Sequence, residues 1–194
     1  HERSSAASDV YKRQNINCPV KNESVKNFIL NNENIDKIII SGYWPAYLMK
    51  DTVLPMRVSD ISEREDHEIA QLGFTKTIEW MLSLDKTVTM IGPVAVYDES
   101  VPLLLALNEL FERNYLQSNY DEQIKKSLNL NKIISNFKNH KNFHYIDALE
   151  WLCNPECKTK NNNLPIYFDS NHLNVSGAKL YKDEFVKIFS ENFY

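Results

Sequence analysis

Asp169 and His172 stand three residues apart in the stretch Leu164-Pro-Ile-Tyr-Phe-Asp-Ser-Asn-His-Leu-Asn-Val-Ser-Gly-Ala178, between an apolar, strand-like run and an amphipathic helix. These two side-chain types can do acid–base chemistry together. An imidazole takes and returns a proton near neutral pH, and a carboxylate on one ring nitrogen fixes its tautomer and stabilises the imidazolium. Such a pair still needs a nucleophile, normally a hydroxyl that the imidazole deprotonates. Asp and His at this spacing also occur in ordinary surface loops, so the surroundings of the pair decide its meaning.

Those surroundings alternate between helix and strand signals. Val25, Phe28 and Ile29 sit at helical spacing within 23–32, followed by the β-branched run Asp36-Lys-Ile-Ile-Ile40, which ends at Ser41-Gly42. Ser62-Glu-Arg-Glu65 matches a capping box, in which a serine hydroxyl and a glutamate three residues on satisfy free amides at a helix start; that helix is expected to run to about Leu84. Thr87-Val-Thr-Met-Ile91 reads as a strand broken by Gly92-Pro93, and Phe143-His-Tyr-Ile146 as a third strand, with helices expected over 103–114 and 122–137. After the Asp–His loop, Asn174 can cap a closing helix whose Ala178, Tyr181, Phe185, Ile188 and Phe189 form an apolar stripe. Continuously apolar strands separated by helices predict an α/β three-layer sandwich with a mostly parallel sheet, because parallel strands need crossovers and are covered on both faces. Trp44 and Tyr47 follow the first strand, where open α/β sheets place ligand crevices, and are candidates to line a substrate site.

Composition limits the partners. The 194 residues suffice for one domain, and 22 Lys and Arg against 26 Asp and Glu, without a basic block, speak against a grip on nucleic acid phosphates. The apolar runs at 38–43 and 101–107 fall short of the roughly 18 residues of a membrane span. Cys153 and Cys157 are separated by Asn-Pro-Glu, which favours a disulfide over zinc, since an isolated C-x3-C brings no second ligand pair; two reduced thiols are the alternative. Cys18 is left over. An oxidised pair would place the chain outside the cytoplasm. Asp169, His172 and a third acidic residue would be needed for a metal-dependent hydrolase, and no spacing supplies that third ligand, so neither metal nor other cofactor is expected. His67, among Glu63, Glu65, Asp66 and Glu68 on an expected helix surface, reads as a solvated residue, with metal binding beside those carboxylates the alternative; His140 and His144 are assigned no chemistry, and no feature sets an oligomeric state.

With these residues on view, the chain resembles the SGNH family of serine esterases and acyltransferases, whose last motif is Asp-x-x-His ahead of the C-terminal helix, here Asp169-Ser-Asn-His172. Tyr167-Phe-Asp-Ser-Asn-His-Leu-Asn-Val-Ser-Gly-Ala178 is similar to the SGNH domain fused behind the membrane part of bacterial acyltransferase-3 proteins, which O-acetylate surface polysaccharides. Ile38-Ile-Ile-Ser-Gly-Tyr-Trp44 and Leu152-Cys-Asn-Pro-Glu-Cys157 resemble that family's strand ending in an aromatic and its cysteine pair. The resemblance implies an SGNH, flavodoxin-like fold, Asp169 and His172 as two members of a triad, a carbohydrate or acyl-ester substrate, a fused membrane acyltransferase segment, and a periplasmic or extracytoplasmic setting. It also implies that Cys18 pairs with a cysteine further upstream.

The family's Gly-Asp-Ser nucleophile turn has no match in the sequence. Residues 1–14, which lack an initiator Met and any helical or strand periodicity, read as a cloning, adaptor or fusion scar, with 15–194 a partial SGNH domain whose first strand and nucleophile block are missing. Ser8-Asp9 is not a degraded form of the turn on this reading, because no strand precedes it and no glycine tightens it. Two functions follow. The first is acyl transfer to or from carbohydrate hydroxyls by an intact parent, the fragment itself being inactive; the alternative is a non-catalytic carbohydrate-binding or accessory domain.

Overall fold

The computed structural model describes residues 20–42, Trp44, Leu48 and 66–193. Its centre is a three-stranded, all-parallel sheet in the order β1-β2-β3, with β1 Lys37–Ile40, β2 Thr87–Ile91 and β3 Phe143–Ile146. Ile38 pairs with Val88 and Val88 with Phe143, so the three carboxyl ends lie at one end of the sheet. Parallel neighbours of this kind require helical crossovers, which the chain supplies as α2 Asp66–Ser83 between β1 and β2, and α3 Val101–Phe111, α4 Tyr120–Lys125 and α5 Leu128–Phe137 between β2 and β3. Residues 20–30 form α1 ahead of β1. The α/β class with a parallel sheet is therefore the one expected, and each of the three strands falls within one residue of its expected bounds.

Two cores form among the described residues. In the first, Ile78, Met81 and Leu82 of α2 and Leu130, Ile133 and Phe137 of α5 close over Val88 and Met90 of the central strand, with Trp44 and Leu48 joining them. The second is built from segments that follow β2 and β3: Ala95, Tyr97 and Val101, then Leu149 and Leu152, then Ile166, Tyr167 and Tyr181. The second core carries the Asp–His loop. Burial of an aliphatic or aromatic side chain stabilises by about 1.5–3 kcal/mol, so this packing, rather than any surface contact, fixes the loop's base.

Several elements differ from their expected form for local reasons. The helix expected over 122–137 is two helices, because the Lys126 and Ser127 amides bond three residues back to the Gln123 and Ile124 carbonyls and tighten the last turn of α4. A capping box of Asn119 and Glu122 starts α4. The closing helix is likewise split into α7 Val175–Leu180 and α8 Lys182–Phe193, with Tyr181 at the junction; the side chains of Ile188 and Phe189 lie outside the described residues. Helix α3 starts at Val101 and stops at Phe111, where Glu112 turns left-handed at φ 50°. On α1, Ile29 is buried but Val25 and Phe28 are exposed, so its apolar residues do not all face one core. The capping box at Ser62–Glu65, like Ser8-Asp9 and Cys18, lies outside the described residues.

Two elements carried signals that periodicity did not reveal. Helix α6, Ala148–Leu152, is capped by Asp147, whose Oδ1 accepts from the Leu149 and Glu150 amides at 3.0 and 3.4 Å. A hairpin pairs β4 Lys160–Asn161 with β5 Leu164–Pro165 across Asn162 and Asn163, at φ 49° and 65°. Asparagine tolerates that left-handed pair better than most residues, as a two-residue hairpin turn requires.

Helix α7 sits close on the strand-like segment before the loop. A Cβ on Gly177 would overlap the Ile166 carbonyl oxygen and lie 3.0 Å from its carbon, whereas one on Gly73 in α2 would meet nothing within 4 Å. Gly177→Ala is expected to destabilise by about 1–3 kcal/mol through overpacking, and Gly73→Ala to stabilise by about 0.5–1 kcal/mol through helix propensity. Thermal unfolding of the two variants reads these opposite signs, at about 2–4 °C per kcal/mol for a chain of this size.

Candidate functional site

Backbone hydrogen bonds shape the loop before any side chain acts. The Asn174 amide donates to Ile166 O at 3.0 Å and the Phe168 amide to His172 O at 2.7 Å, closing 166–174 on itself. Asn174 caps α7 by accepting from the Gly177 amide at 2.8 Å, and its own Nδ2 donates to Pro165 O at 2.8 Å. From the other side, the segment after β2 clamps the loop: the Tyr97 amide donates to Ser170 O at 2.9 Å and the Val101 amide to Asp169 O at 3.1 Å. That segment is held by the buried Gln123, which accepts from the Val96 amide at 2.9 Å and donates to Val96 O at 3.0 Å and Ser118 Oγ at 2.9 Å. Lys126 Nζ adds a bond to Val96 O at 2.7 Å.

Inside this frame the Asp169 carboxylate gathers three donors. Oδ1 accepts from the Asn171 and His172 amides at 2.9 and 2.8 Å, and Oδ2 lies 2.8 Å from His172 Nδ1. A carboxylate only accepts, so Nδ1 carries the hydrogen and the lone pair of the neutral ring resides on Nε2. Partial desolvation pushes the Asp169 carboxyl up. The Asn171 amide, the His172 ring and amide, and the imidazolium charge outweigh it, and hold the carboxyl below its ordinary value. The pair is open to solvent, with side-chain exposures of 66% for His172 and 39% for Asp169. The arrangement is an oriented imidazole at a surface cavity.

The cavity, of about 380 Å³, lies at the carboxyl ends of the strands. Ser41 and Gly42 after β1, Ile91 and Gly92 at the end of β2, Trp151 of α6, and Asn171 and His172 of the loop contribute to its lining. Of the aromatics expected near a substrate, Trp44 is instead packed in the first core, 8% exposed, and its indole N–H donates to Ile91 O at 2.7 Å. It ties the chain after β1 to the end of β2 and is not among the residues that line the cavity. Tyr47 lies outside the described residues. Cys153 and Cys157 are joined as a disulfide, S–S 2.07 Å, immediately after α6. Trp151, Asn171 and Ser41 were not singled out as site residues in the sequence. Trp151 carried the one usable signal, a large aromatic two residues before a cysteine pair. Among the described residues no group of His, Cys, Asp and Glu is placed to hold a metal ion, and no helix is long and apolar enough to cross a membrane.

A family model described as "SGNH domain (fused to AT3 domains)" matches residues 3–187. The match begins within 1–14 and so does not separate that segment from the domain. A solved structure, the periplasmic domain of a lipopolysaccharide acetyltransferase from Salmonella ser. Paratyphi A, is similar at a TM-score of 0.49 and 23% sequence identity, over 69% of this chain. This chain spans 54%, about half, of the length of that domain. No curated protein matches the sequence.

The lowered Asp169 carboxyl fixes the sign of an acid response. A carboxyl depressed by folding contributes stability that is fully present above its unfolded value, about 3.9, and is lost as pH falls through the folded value. The Asn171 and His172 amide resonances are therefore expected to respond to Asp169 with a midpoint below pH 3.9 or so. An NMR titration reads this, and Asp169→Asn should abolish the acid step. A midpoint at or above the ordinary carboxylate value would contradict the geometry.

Proposed function

The chain belongs to the family of SGNH domains fused to AT3 domains, and from that premise we propose that Asp169 and His172 are the acid–base pair of an acyl transfer on carbohydrate hydroxyls. The observation that carries this reading is the 2.8 Å contact between Asp169 Oδ2 and His172 Nδ1, with the imidazole on the rim of a cavity. The reading requires a nucleophile within reach of the imidazole, a serine hydroxyl, and this sequence has no Gly-Asp-Ser turn to carry it.

His172 Nε2 takes the serine proton as the serine oxygen bonds to the acyl carbonyl carbon, then gives that proton to the departing alcohol oxygen as the old ester bond breaks. The acyl-serine is resolved in reverse: an acceptor hydroxyl, from a sugar or from water, loses its proton to Nε2 as its oxygen bonds to the carbonyl carbon, and that proton passes to the serine oxygen as the acyl–serine bond breaks. Asp169 keeps its charge throughout and stabilises the imidazolium. The domain would act on the periplasmic side, next to a fused membrane segment that delivers the acyl group.

The accessory-domain alternative draws on the same missing turn. In the parent with its membrane segment, His172→Ala is expected to lower acyl transfer by about 10²–10⁴-fold, the usual worth of a positioned general base. The isolated chain is expected to show no turnover of a small acetyl ester. Unchanged transfer in the His172→Ala parent would favour the accessory reading. Turnover by the isolated chain that disappears in Ser41→Ala would instead locate the nucleophile on the cavity wall, after β1.

A further inference from the structure

Helix α3 is apolar on more sides than its own core uses. Val101, Leu104 and Leu105 pack into the second core, where Val101 is fully buried. On the opposite side Leu103, Ala106, Leu107 and Leu110 recur at i, i+3, i+4 and i+7, one continuous stripe over two turns. Leu103 is 49% and Leu110 74% exposed, and Phe111 at the end of the stripe is exposed as well. A helix that is hydrophobic all round is ordinarily buried all round, and an exposed apolar stripe marks a surface for association. The stripe belongs to the second core's side of the molecule, whereas Trp44 and Leu48, described within 43–65, pack in the first core.

The charges around the stripe select its occupant. Helix α3 has no acidic residue in its first turn and no basic residue in its last, and Ser100 at its start makes no side-chain cap. Its carboxylates, Glu109 and Glu112, stand instead at the carboxyl end, where the helix dipole is negative. That order opposes the helix's own dipole and complements an antiparallel neighbour of the same sequence. A two-fold axis between Ala106 and Leu107 would set Leu103 against Leu110 of a second copy and fit each Leu107 over the small Ala106. The same axis would bring Glu112 level with the first-turn amides at Val101. Arg113, the one cation in 97–117, would then face Ser100 of the second copy, with Glu99 beside it. A lipid surface offers Glu109 and Glu112 no such partners.

We propose that the outer face of α3 is a self-association surface, on which two copies of this chain pair their α3 helices antiparallel about a two-fold axis. A single pair of three-turn helices buries less than the roughly 1,200 Å² of a stable interface, so the pair is weak and reversible.

Sedimentation velocity over a concentration series tests this, with Cys18→Ser throughout so that no intermolecular disulfide is counted. The expected result is a monomer–dimer equilibrium with Kd between about 1 µM and 1 mM. Leu107→Glu, on the exposed face, should raise Kd about tenfold or more while the far-ultraviolet circular dichroism stays that of the folded chain. Arg113→Glu should raise it about two- to fivefold, the range of an exposed ion pair, and Glu99→Arg in the same chain should restore it. A chain that is monomeric at about 1 mM would overturn the proposal. So would a dimer indifferent to Leu107→Glu, which would place the contact on another face, or one indifferent to Arg113→Glu, which would exclude the antiparallel register. A chain that stays monomeric but floats with vesicles of phosphatidylethanolamine and phosphatidylglycerol, and loses that in Leu107→Glu, would overturn it in favour of a lipid surface.

Discussion

One carboxylate accepting from three donors organises the site: Asp169 takes two amides of its own loop on Oδ1 and the imidazole on Oδ2. Its value is geometric rather than energetic. An exposed ion pair contributes about 0–1 kcal/mol, and both partners here are substantially exposed. The loop's position is secured elsewhere, by buried Ile166 and Tyr167 at its base and by the amides of Tyr97 and Val101 that donate to it from the segment after β2. Asp169 then converts a fixed backbone into a fixed imidazole. A general base needs that conversion, since a displacement of about 1 Å can cost on the order of a hundredfold in rate.

The same logic explains the path of support back to the sheet. Gln123 is buried and spends its amide on both polar groups of Val96, which leaves the neighbouring Tyr97 amide free to face Ser170. Removing one partner of such a buried network leaves a polar group unpaired, at about 1–3 kcal/mol. The fold thus transmits the rigidity of two cores to a loop that is itself open to solvent. On the proposed function this openness is useful, because an acyl donor and an acceptor must both reach Nε2.

Much of this was legible in the residues. The three strands announced themselves through β-branched runs such as Lys37-Ile-Ile-Ile40 and Thr87-Val-Thr-Met-Ile91, and the parallel sheet followed from the helices between them. Asp169 and His172 stood out by their spacing and setting and, above all, by the family resemblance, and the structure brings the two side chains into contact. What stayed hidden was long-range. The indole of Trp44 turns inward to Ile91, 47 positions away, a choice no local pattern records. Trp151 enters the cavity only because α8 brings Phe185 and the α7–α8 junction brings Tyr181 against it. The break between α4 and α5 is likewise set by short backbone closures, since the side chains of 122–137 keep one helical period across it.

The most direct check on the orienting role of Asp169 is the protonation pattern of the His172 ring, read from its nitrogen-15 chemical shifts in the labelled chain at a pH where the imidazole is neutral. The expected result is hydrogen on Nδ1 and a bare Nε2, with the preference weakened in Asp169→Asn. Hydrogen on Nε2, or a tautomer ratio indifferent to that substitution, would contradict the claim that Asp169 holds His172 as a base.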